Sequence, residues 1–347
     1  MLKATNYSIC AFMVIFTLFC TNVSIFAFQK LYPVKERNLW GYIDEKGNKV
    51  IPIQFRQAGE FSEDRAMVQN QNGLFGYINS KGHFVIAPIF ENASDFSGGL
   101  ARVAKENKSG YIDRNGNLVI DFQFDEAGYF SEGLAYVLIE GFYGYIDRTG
   151  KFKIAPKFVK ATGFVEGTAP VMVPVNNELK IGYINKTGDF VIPPMFVTAS
   201  SFFEGVASVS TGEILTLTDR IAPLVRGPFS NYLIDRSGKR ISNDFEAISR
   251  KFDKLTPAMK DGKWGYIDKN GVFSIAPIFE EASAFSKDGI AVVKKEENYG
   301  LIHMSGEFFV MPRYDFVKWM NGIGLLRKGP VQYIDRNNRV ILRSNEN

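Results

Sequence analysis

One pattern recurs along almost the whole chain and limits what it can fold into. The stretch "KWGYIDKNG" at residues 263–271 has eight relatives in the same chain, and each ends in a turn residue. These turn residues are Gly47, Gly82, Gly116, Gly150, Gly188, Gly238, Gly271, Gly306 and Asn338. With one exception they are spaced about 34 residues apart, which indicates a tandem array of small units rather than independent domains.

Each unit carries the alternation of apolar and polar residues that is typical of short β-strands. A G-Y-I-D segment leads into the turn, a segment such as "FVIAPIF" follows it, and one such as "FSEGLAYV" comes next. The chain is also rich in aromatic residues (14%) and contains 32 glycines, as strands joined by tight turns require. The sequence therefore predicts an all-β fold of three-stranded antiparallel meander repeats, about eight of them complete and one partial.

The D-x-x-G element has a clear structural purpose. The Asp side chain accepts hydrogen bonds from the backbone of the turn that it begins, and the Gly adopts a positive φ. We predict this role for Asp44, Gly47, Asp113, Gly116, Asp147, Gly150, Asp268 and Gly271. Prolines such as Pro52, Pro88 and Pro277 lie in the following strand. Since Pro cannot donate to a ladder, this strand is predicted to be an edge strand or to be broken at the proline.

Neighbouring units must share a core, because one unit of about 34 residues buries too little surface to be stable alone. Recurring apolar positions predict core roles for Ile43, Ile112, Phe61, Phe96, Phe130 and Phe164. We expect Phe130→Ala to cost about 3 kcal/mol or more. Three strands per unit is fewer than the four of a usual propeller blade, which favours an open curved array; a closed propeller-like ring is the alternative.

The first 27 residues have the layout of a secretory signal. Lys3 precedes a long apolar run, and a cleavage site is predicted after Ala27. An uncleaved N-terminal anchor is the alternative, and it would be the chain's one contact with a membrane. Cys10 and Cys20 both lie in this segment, so the mature chain would have no disulfide and no cysteine nucleophile. The repeat array is predicted to span 38–342, with a tail at 343–347.

Charge and motifs exclude several function classes. The formal net charge of +4 is spread along the chain without a basic block, so no nucleic-acid partner is predicted. His83 and His303 lie at turns, and no catalytic, cofactor-binding or metal-binding residues are predicted. Glu132, Glu166 and Glu204 each precede a Gly, and we interpret them as solvated turn residues, with a repeated acidic stripe as the alternative.

One interval breaks the period. Gly188 and Gly238 are 50 residues apart, which indicates an insertion at residues 210–231. Insertions in repeat proteins often form binding loops, so its apolar residues are candidate partner contacts; an added structural hairpin is the other interpretation. These candidate contacts are Ile214, Leu215, Leu217 and Leu224.

The segments "WGYIDEKGNKVIPIQF" and "KWGYIDKNG" resemble the tandem consensus of the WG-repeat family. The resemblance covers about residues 38–342, and the units that begin at Asn231 and Tyr299 depart most from it. It implies a β-rich scaffold of the kind common in bacterial surface and envelope proteins, and it implies no catalytic residues.

These observations predict an exported, non-enzymatic scaffold in the periplasm, at the cell surface or secreted, whose partner is a protein or a glycan. The competing hypothesis is a hydrolase of envelope polymers with a site built from non-repeat residues. Polar deviations clustered in a cleft would favour the enzyme, whereas a spread apolar face would favour binding.

Overall fold

The computed structural model describes residues 30–212, 230–249, 254–320 and 322–343. Within these ranges the regular secondary structure consists entirely of β-strands, and the 34 strands form nine antiparallel sheets. The sheets follow one another in chain order, and each corresponds to about one repeat. We number them blades 1 to 9. No helix in the described ranges is long and apolar enough to span a membrane.

The strand bounds are as follows. Blade 1 contains β1 (Tyr32–Glu36), β2 (Leu39–Ile43) and β3 (Lys49–Phe55). Blade 2 contains β4 (Gln57–Ser62), β5 (Arg65–Gln69), β6 (Phe75–Ile78) and β7 (Phe84–Phe90). Blade 3 contains β8 (Asn92–Ala93), β9 (Leu100–Lys105), β10 (Lys108–Asp113) and β11 (Leu118–Phe124). Blade 4 contains β12 (Glu126–Ala127), β13 (Leu134–Ile139), β14 (Phe142–Asp147) and β15 (Phe152–Phe158). Blade 5 contains β16 (Lys160–Ala161), β17 (Ala169–Val175), β18 (Glu178–Ile184) and β19 (Phe190–Phe196).

The second half of the chain continues in the same order. Blade 6 contains β20 (Thr198–Ala199), β21 (Val206–Thr211) and β22 (Ser230–Asp235). Blade 7 contains β23 (Ala247–Ile248), β24 (Thr256–Lys260), β25 (Lys263–Ile267) and β26 (Phe273–Phe279). Blade 8 contains β27 (Glu281–Ala282), β28 (Ile290–Lys295), β29 (Asn298–His303) and β30 (Phe308–Tyr314). Blade 9 contains β31 (Phe316–Met320), β32 (Ile323–Arg327), β33 (Val331–Ile334) and β34 (Val340–Arg343).

The last blade packs against the first, so the nine blades form a closed β-propeller ring. The Tyr333 hydroxyl of blade 9 donates to the Lys35 carbonyl at 3.1 Å and accepts the Lys35 N–H at 3.0 Å. Tyr32 and Val34 share a buried cluster with Tyr333 and with Ile323 of blade 9. The predicted all-β repeat fold is confirmed in its closed-ring form, and the open array favoured by the strand count is not the arrangement present.

The predicted count of three strands per unit is too low, because each regular unit has a further strand that is very short. Seven of the nine sheets have four strands, and the first is often only two residues long, as in Asn92–Ala93. A single residue, such as Glu91, separates this strand from the last strand of the preceding blade. A strand of two residues is too short to show an alternation of apolar and polar side chains, so the sequence pattern does not reveal it.

The G-Y-I segment is buried on both faces because each blade packs between two neighbours. Gly41, Tyr42 and Ile43 are all buried. A Cβ on Gly41 would lie 2.6 Å from the carbonyl oxygen of Ile51 in the next strand, so only glycine fits. The Tyr42 hydroxyl crosses into blade 2 and donates to the Gly59 carbonyl at 2.8 Å.

This bond recurs between consecutive blades at a spacing of 17 residues. The other tyrosines that make it are Tyr77, Tyr111, Tyr145, Tyr183 and Tyr266. Burial raises the pKa of each hydroxyl well above its ordinary value, so these groups remain neutral donors. Leu233 and Leu301 occupy this position in blades 6 and 8.

The fourth strand lies at the end of the order in every four-stranded sheet, which confirms the edge-strand prediction made from its prolines. Because the strands are antiparallel, the D-x-x-G turns and the F-x-E-G turns lie at the same end of each blade. We name this end of the ring the turn face. The tight hairpins between second and third strands lie at the opposite end, the hairpin face.

The predicted core residues occupy two environments. Ile43, Ile112, Phe96 and Phe164 are at most 2% exposed and lie in the clusters between blades. Phe61 and Phe130, predicted to be core residues, are only partly buried. The Phe130 ring packs on Tyr111 at 4.9 Å, while its other side lies under the Arg148 guanidinium at 5.3 Å.

Of the two units that depart most from the repeat, one is irregular and the other is not. In blade 6 the expected fourth strand is reduced to isolated bridges, Asn231 to Phe245 and Ile234 to Arg240. The Asn231 side chain donates to the Phe245 carbonyl at 3.1 Å in partial compensation. Blade 8 has four regular strands, and its turn forms with His303 in place of Asp.

Candidate functional site

The D-x-x-G turns have the geometry of structural turns. Asp113 Oδ1 accepts the N–H groups of Asn115 and Asn117, each at 2.9 Å, and Gly116 has a φ of 85°. The hydrogen bond from the Asn117 side chain, with those from the backbone, lowers the pKa of Asp113. The corresponding residues Asp44, Asp147 and Asp268 accept the same two backbone bonds, and Gly47, Gly150 and Gly271 have φ values of 77–84°.

In blades 2, 4 and 5, the glutamate of the turn between the first and second strands binds the corresponding turn of the next blade. The Glu132 carboxylate of blade 4 accepts the Gly167 N–H of blade 5 at 3.1 Å. Glu166 of blade 5 accepts the N–H groups of Glu204 at 2.5 Å and of Gly205 at 3.0 Å in blade 6. Glu63 of blade 2 contacts the Gly99 N–H of blade 3 in the same way, at 2.9 Å. We name Glu63, Glu132 and Glu166 the latch glutamates.

A basic side chain from the next D-x-x-G turn completes two of these contacts. Lys186 lies 3.0 Å from Glu132, and Arg236 lies 2.6 Å from Glu166. Partial burial by itself would raise the pKa of Glu132. The hydrogen bonds from Lys186 and from the Gly167 amide outweigh this effect and lower the pKa. Neither a free acidic stripe nor a simple solvated turn describes these glutamates, because their carboxylates bind between blades.

Blade 3 is an exception to this arrangement. It has Gly98 where the latch glutamates stand, so it provides no carboxylate to the turn of blade 4. The Arg148 side chain donates instead to the Gly98 carbonyl oxygen. Gly98 has a φ of 59°, and the four glutamates at equivalent positions have φ values of 48–53°, so the backbone conformation is shared.

Beside the turn face, blades 1 to 5 expose apolar side chains at the beginning of their last strand. We name this set the apolar rim, and its members are Val50, Phe84, Val85, Leu118, Val119, Phe152, Phe190 and Val191. Their exposed fractions are 37–45%, although their type is that of core residues. In blade 6 the equivalent positions hold Arg240 and Ile241, so a charged side chain replaces the first apolar one, while Ile241 is 38% exposed.

The rim is continuous with the packing between blades. The Phe84 ring of blade 2 lies edge-on to Phe55 of blade 1 at 6.1 Å, and Phe152 of blade 4 lies edge-on to Phe124 of blade 3 at 6.3 Å. Each of these rings therefore spans two blades while leaving part of its surface in solvent. Such spread, repeated apolar exposure is typical of interaction surfaces.

In the described part of the chain, the residues with catalytic potential do not come together as an active site. His83 and His303 are both exposed at turns. Burial, and then the Glu60 carboxylate, raise the pKa of Asp95, as a general acid requires. The Asp95 Oδ1 atom lies close to Gly59, 2.8 Å from the position that a Cβ on this glycine would occupy. Asp95 lines none of the described cavities. No cluster of metal-ligating side chains occurs in the described ranges.

The insertion leaves blade 6 between its second and third strands, on the hairpin face. Ile214, Leu215, Leu217 and Leu224 lie outside the described residues, so their contact with a partner stays a prediction. The polar side chains beside this point, Thr198, Ser210 and Asn231, bond to one another rather than projecting outward.

Residue-by-residue reasoning missed two sets of contacts between blades. Alternation within one strand gives the tyrosine of G-Y-I-D no hydrogen-bond partner, although six of these tyrosines donate to a carbonyl 17 residues later. The repeat pattern predicts solvated turns for Glu132 and Glu166, whereas their carboxylates accept backbone N–H groups of the next blade. Comparing one unit with the next, rather than each unit with itself, would have indicated both contacts.

The comparisons with known proteins agree with this architecture. The profile described as "WG containing repeat" matches residues 40–74, 75–108, 110–141, 143–173, 181–213 and 264–299. No curated protein matches the chain.

Among solved structures, that of a eukaryotic initiation factor aligns at a TM-score of 0.60, with 11% identity over 92% of this chain and 96% of the other. BamB from Moraxella catarrhalis aligns at 0.40, with 11% identity and 91% of each chain covered. The Pan2 WD40 domain from Neurospora crassa aligns at 0.39, with 8% identity over 72% of this chain and 89% of the other. At these identities the first likeness shows a shared fold and nothing more.

Proposed function

Because the chain belongs to the WG-repeat family, we propose that it is an exported, non-enzymatic scaffold that binds a protein or glycan partner through its apolar rim. The observation that carries this proposal is the exposure of apolar side chains at two adjacent positions of the last strand, at least one of which is apolar in each of five consecutive blades. A monomer gains nothing from such exposure, whereas a partner that covers these side chains gains about 25 cal/mol for each Å² of apolar surface buried.

The rim suits a partner that is recognised by side chains rather than by strand addition. Its strands are edge strands, and most of them contain a proline, such as Pro88 or Pro156, that cannot donate to an added strand. The first residues of these strands project beside the turn face, where Lys49 and Lys153 provide charge around the apolar positions. An apolar centre with a polar border is the usual composition of a reversible interface.

A charge-matched pair of variants tests this proposal. In the rim variant, Val85→Lys is combined with Val119→Lys. In the control, Gln54→Lys and Gln123→Lys place two charges on exposed positions of equivalent strands. All four sites are at the surface, so each change should alter stability by less than about 0.5 kcal/mol.

The measurement is proximity labelling in the native host, with separate arms for proteins and for isolated envelope glycans. We expect the rim variant to reduce labelling of the principal partner at least tenfold and the control variant to retain it. Equal labelling by both variants would exclude the rim as the binding surface.

Export is proposed from the N-terminal segment and needs its own test. Cell fractionation followed by N-terminal sequencing should find the protein outside the cytoplasm, beginning at Phe28 if cleavage follows Ala27. A cytoplasmic protein that retains Met1 would contradict export. A membrane-bound protein that retains its N-terminal segment would support the anchor instead.

A further inference from the structure

The junction between blades 3 and 4 has the donors of a carboxylate site without its carboxylate. At the junction between blades 5 and 6, the two oxygens of Glu166 accept the N–H groups of Glu204 and Gly205. Blade 3 has Gly98 at the position that corresponds to Glu166, so it sends no side chain toward the turn of blade 4. The vacancy is therefore a property of the residue at this position, because glycine has no side chain to place.

The two amides of the blade 4 turn have the conformation that binds a carboxylate elsewhere. Glu132 and Gly133 have φ values of 50° and 88°, close to the 48° and 80° of the corresponding pair in blade 6. The turn is held in shape by two backbone bonds, from the Ser131 N–H to the Leu134 carbonyl at 2.9 Å and in the opposite direction at 3.0 Å. No group in the described part of the chain accepts a hydrogen bond from the Glu132 or the Gly133 amide.

The Arg148 guanidinium adds a positive charge beside these amides. Arg236 has the same turn position at the junction between blades 5 and 6, where it lies 2.6 Å from the Glu166 carboxylate. Arg148 donates to the Gly98 carbonyl oxygen and lies over the Phe130 ring at 5.3 Å. Within the described ranges it has no carboxylate partner. By correspondence with the other junction, two amides and a guanidinium surround the space that a latch carboxylate would occupy.

A shallow groove of about 560 Å³ connects this turn with the apolar rim. Gly133 lines the groove, and so does Lys153, the neighbour of the rim residue Phe152 in the last strand of blade 4. Two carboxylates also line it, those of Glu132 and Asp147, and each is paired with a lysine, at 3.0 and 3.4 Å. An acidic group that enters the groove therefore meets no unpaired carboxylate among its lining residues.

We propose that a glutamate or aspartate side chain of a partner protein binds in this space while the same partner covers the apolar rim. Its carboxylate accepts the N–H groups of Glu132 and Gly133 and pairs with Arg148, as Glu166 does with its own neighbours. A protein fits better than an acidic glycan, because a protein can place apolar side chains on Phe152 beside its carboxylate. The inference rests on the proposed function and specifies the chemistry of the partner.

The probe is a fluorescent peptide with the sequence GYFSEGLA, which is the chain's own segment 128–135. Its glutamate is one that binds such a turn, and its Phe and Leu provide apolar side chains for the rim. Fluorescence polarisation with the full chain should show saturable binding. Replacing the glutamate of the peptide by Gln should weaken binding at least tenfold, because the charge-assisted hydrogen bonds and the ion pair are lost.

Three protein variants locate the binding. Arg148→Met removes the guanidinium but keeps an unbranched side chain over Phe130, and it should weaken peptide binding at least tenfold. Arg114→Met is the matched control, because Arg114 has the same turn position in blade 3, where Glu63 already supplies the carboxylate. Gly98→Glu removes no donor and supplies a carboxylate from the chain itself, so it should compete with the peptide and weaken its binding at least tenfold.

Nuclear magnetic resonance of protein labelled at glycine nitrogen identifies the amide directly. The Gly133 N–H signal should shift when the Glu peptide is added and stay in place with the Gln peptide. The Gly167 N–H is the internal control, because the Glu132 carboxylate already binds it at 3.1 Å, and it should not shift. Equal shifts of the two glycines would refute the assignment to this turn.

Absence of saturable binding to the full chain would overturn the proposal, including the case in which another segment of the chain fills the site. Equal binding of the Glu and Gln peptides, or equal binding by Arg148→Met and Arg114→Met, would overturn it as well.

Proximity labelling in the native host separates this inference from the proposed function. Gly98→Glu should reduce labelling of the principal protein partner at least tenfold. Labelling that the rim variant loses and Gly98→Glu retains would refute this inference and leave the proposed function standing. The reverse result would contradict binding through the rim and leave the carboxylate site standing. Capture of an acidic glycan that Gly98→Glu abolishes, without a protein partner, would overturn the assignment to a protein side chain.

Discussion

Gly98 offers a direct test of the latch between blades, because a single substitution can supply the missing carboxylate. In Gly98→Glu, the new side chain would reach the Gly133 amide of blade 4 and the Arg148 guanidinium. The nearest atom to a Cβ at position 98 would be the end of the Arg148 side chain, at 3.2 Å, and this flexible end can move. The backbone is already in the conformation in which Glu63, Glu132 and Glu166 are found.

The magnitude follows from four contributions. A side chain at positive φ costs about 1–2 kcal/mol, and removing a glycine from the unfolded chain returns about 0.4–1 kcal/mol. A hydrogen bond from an amide to a carboxylate contributes about 1.5–3 kcal/mol. An exposed ion pair with Arg148 adds about 0–1 kcal/mol. The midpoints of these contributions add up to a stabilisation of about 2 kcal/mol for Gly98→Glu.

Urea unfolding followed by tryptophan fluorescence measures the effect, with Gly98→Ala and Gly98→Gln as controls. Ala carries the backbone strain without the acceptor and should be less stable than wild type. Gln keeps an acceptor without the charge and should lie between Ala and Glu. Added salt should reduce the advantage of Glu over Gln, since the ion pair is exposed. If Gly98→Glu were no more stable than Gly98→Ala, the latch would contribute nothing to holding the blades together.

Three further results are expected. Phe164→Ala should cost about 3–5 kcal/mol in urea unfolding and Phe130→Ala less, because Phe130 is partly exposed; a loss below about 1 kcal/mol would remove Phe130 from the core. Glu132→Gln should lower stability at neutral pH. Because folding lowers the pKa of Glu132 below its ordinary 4.5, the difference from wild type should be constant above about pH 6 and shrink as the pH falls through the folded pKa; a difference that persists at pH 2 would contradict this cause. Tyr333→Phe should cost about 1–2 kcal/mol and speed hydrogen exchange at the Lys35 amide, and unchanged exchange there would show that the hydroxyl does not hold the ring closed.

The repeat period made most of the fold predictable. Residues with a local purpose, such as Asp113 and Gly116 in their turn, could be assigned because the physics of a turn lies within four residues of sequence. The edge position of the fourth strand followed from Pro88 in the same way, since a missing N–H is a property of one residue.

Ring closure could not be predicted, because it depends on the angle between successive blades. That angle is set by contacts such as the one from Tyr42 to Gly59, which no pattern within one repeat describes. The candidate surfaces were obscured for a related reason. Phe84 and Phe96 are the same residue type in equally regular positions, yet one is 42% and the other 2% exposed. Which of them faces a neighbouring blade is decided by packing rather than by alternation.

The seam between blades 9 and 1 differs in kind from the other junctions described. Elsewhere the chain itself crosses from one blade to the next, with one residue such as Glu91 between two strands. At the seam no chain connection crosses among the described residues, and side-chain contacts join the blades, such as the hydrogen bonds of the Tyr333 hydroxyl to both backbone groups of Lys35. Under a stretching force, the ring would part there first and unroll as a chain of intact blades. A protein anchored at one point and held by a partner at another would thus have a defined place to yield.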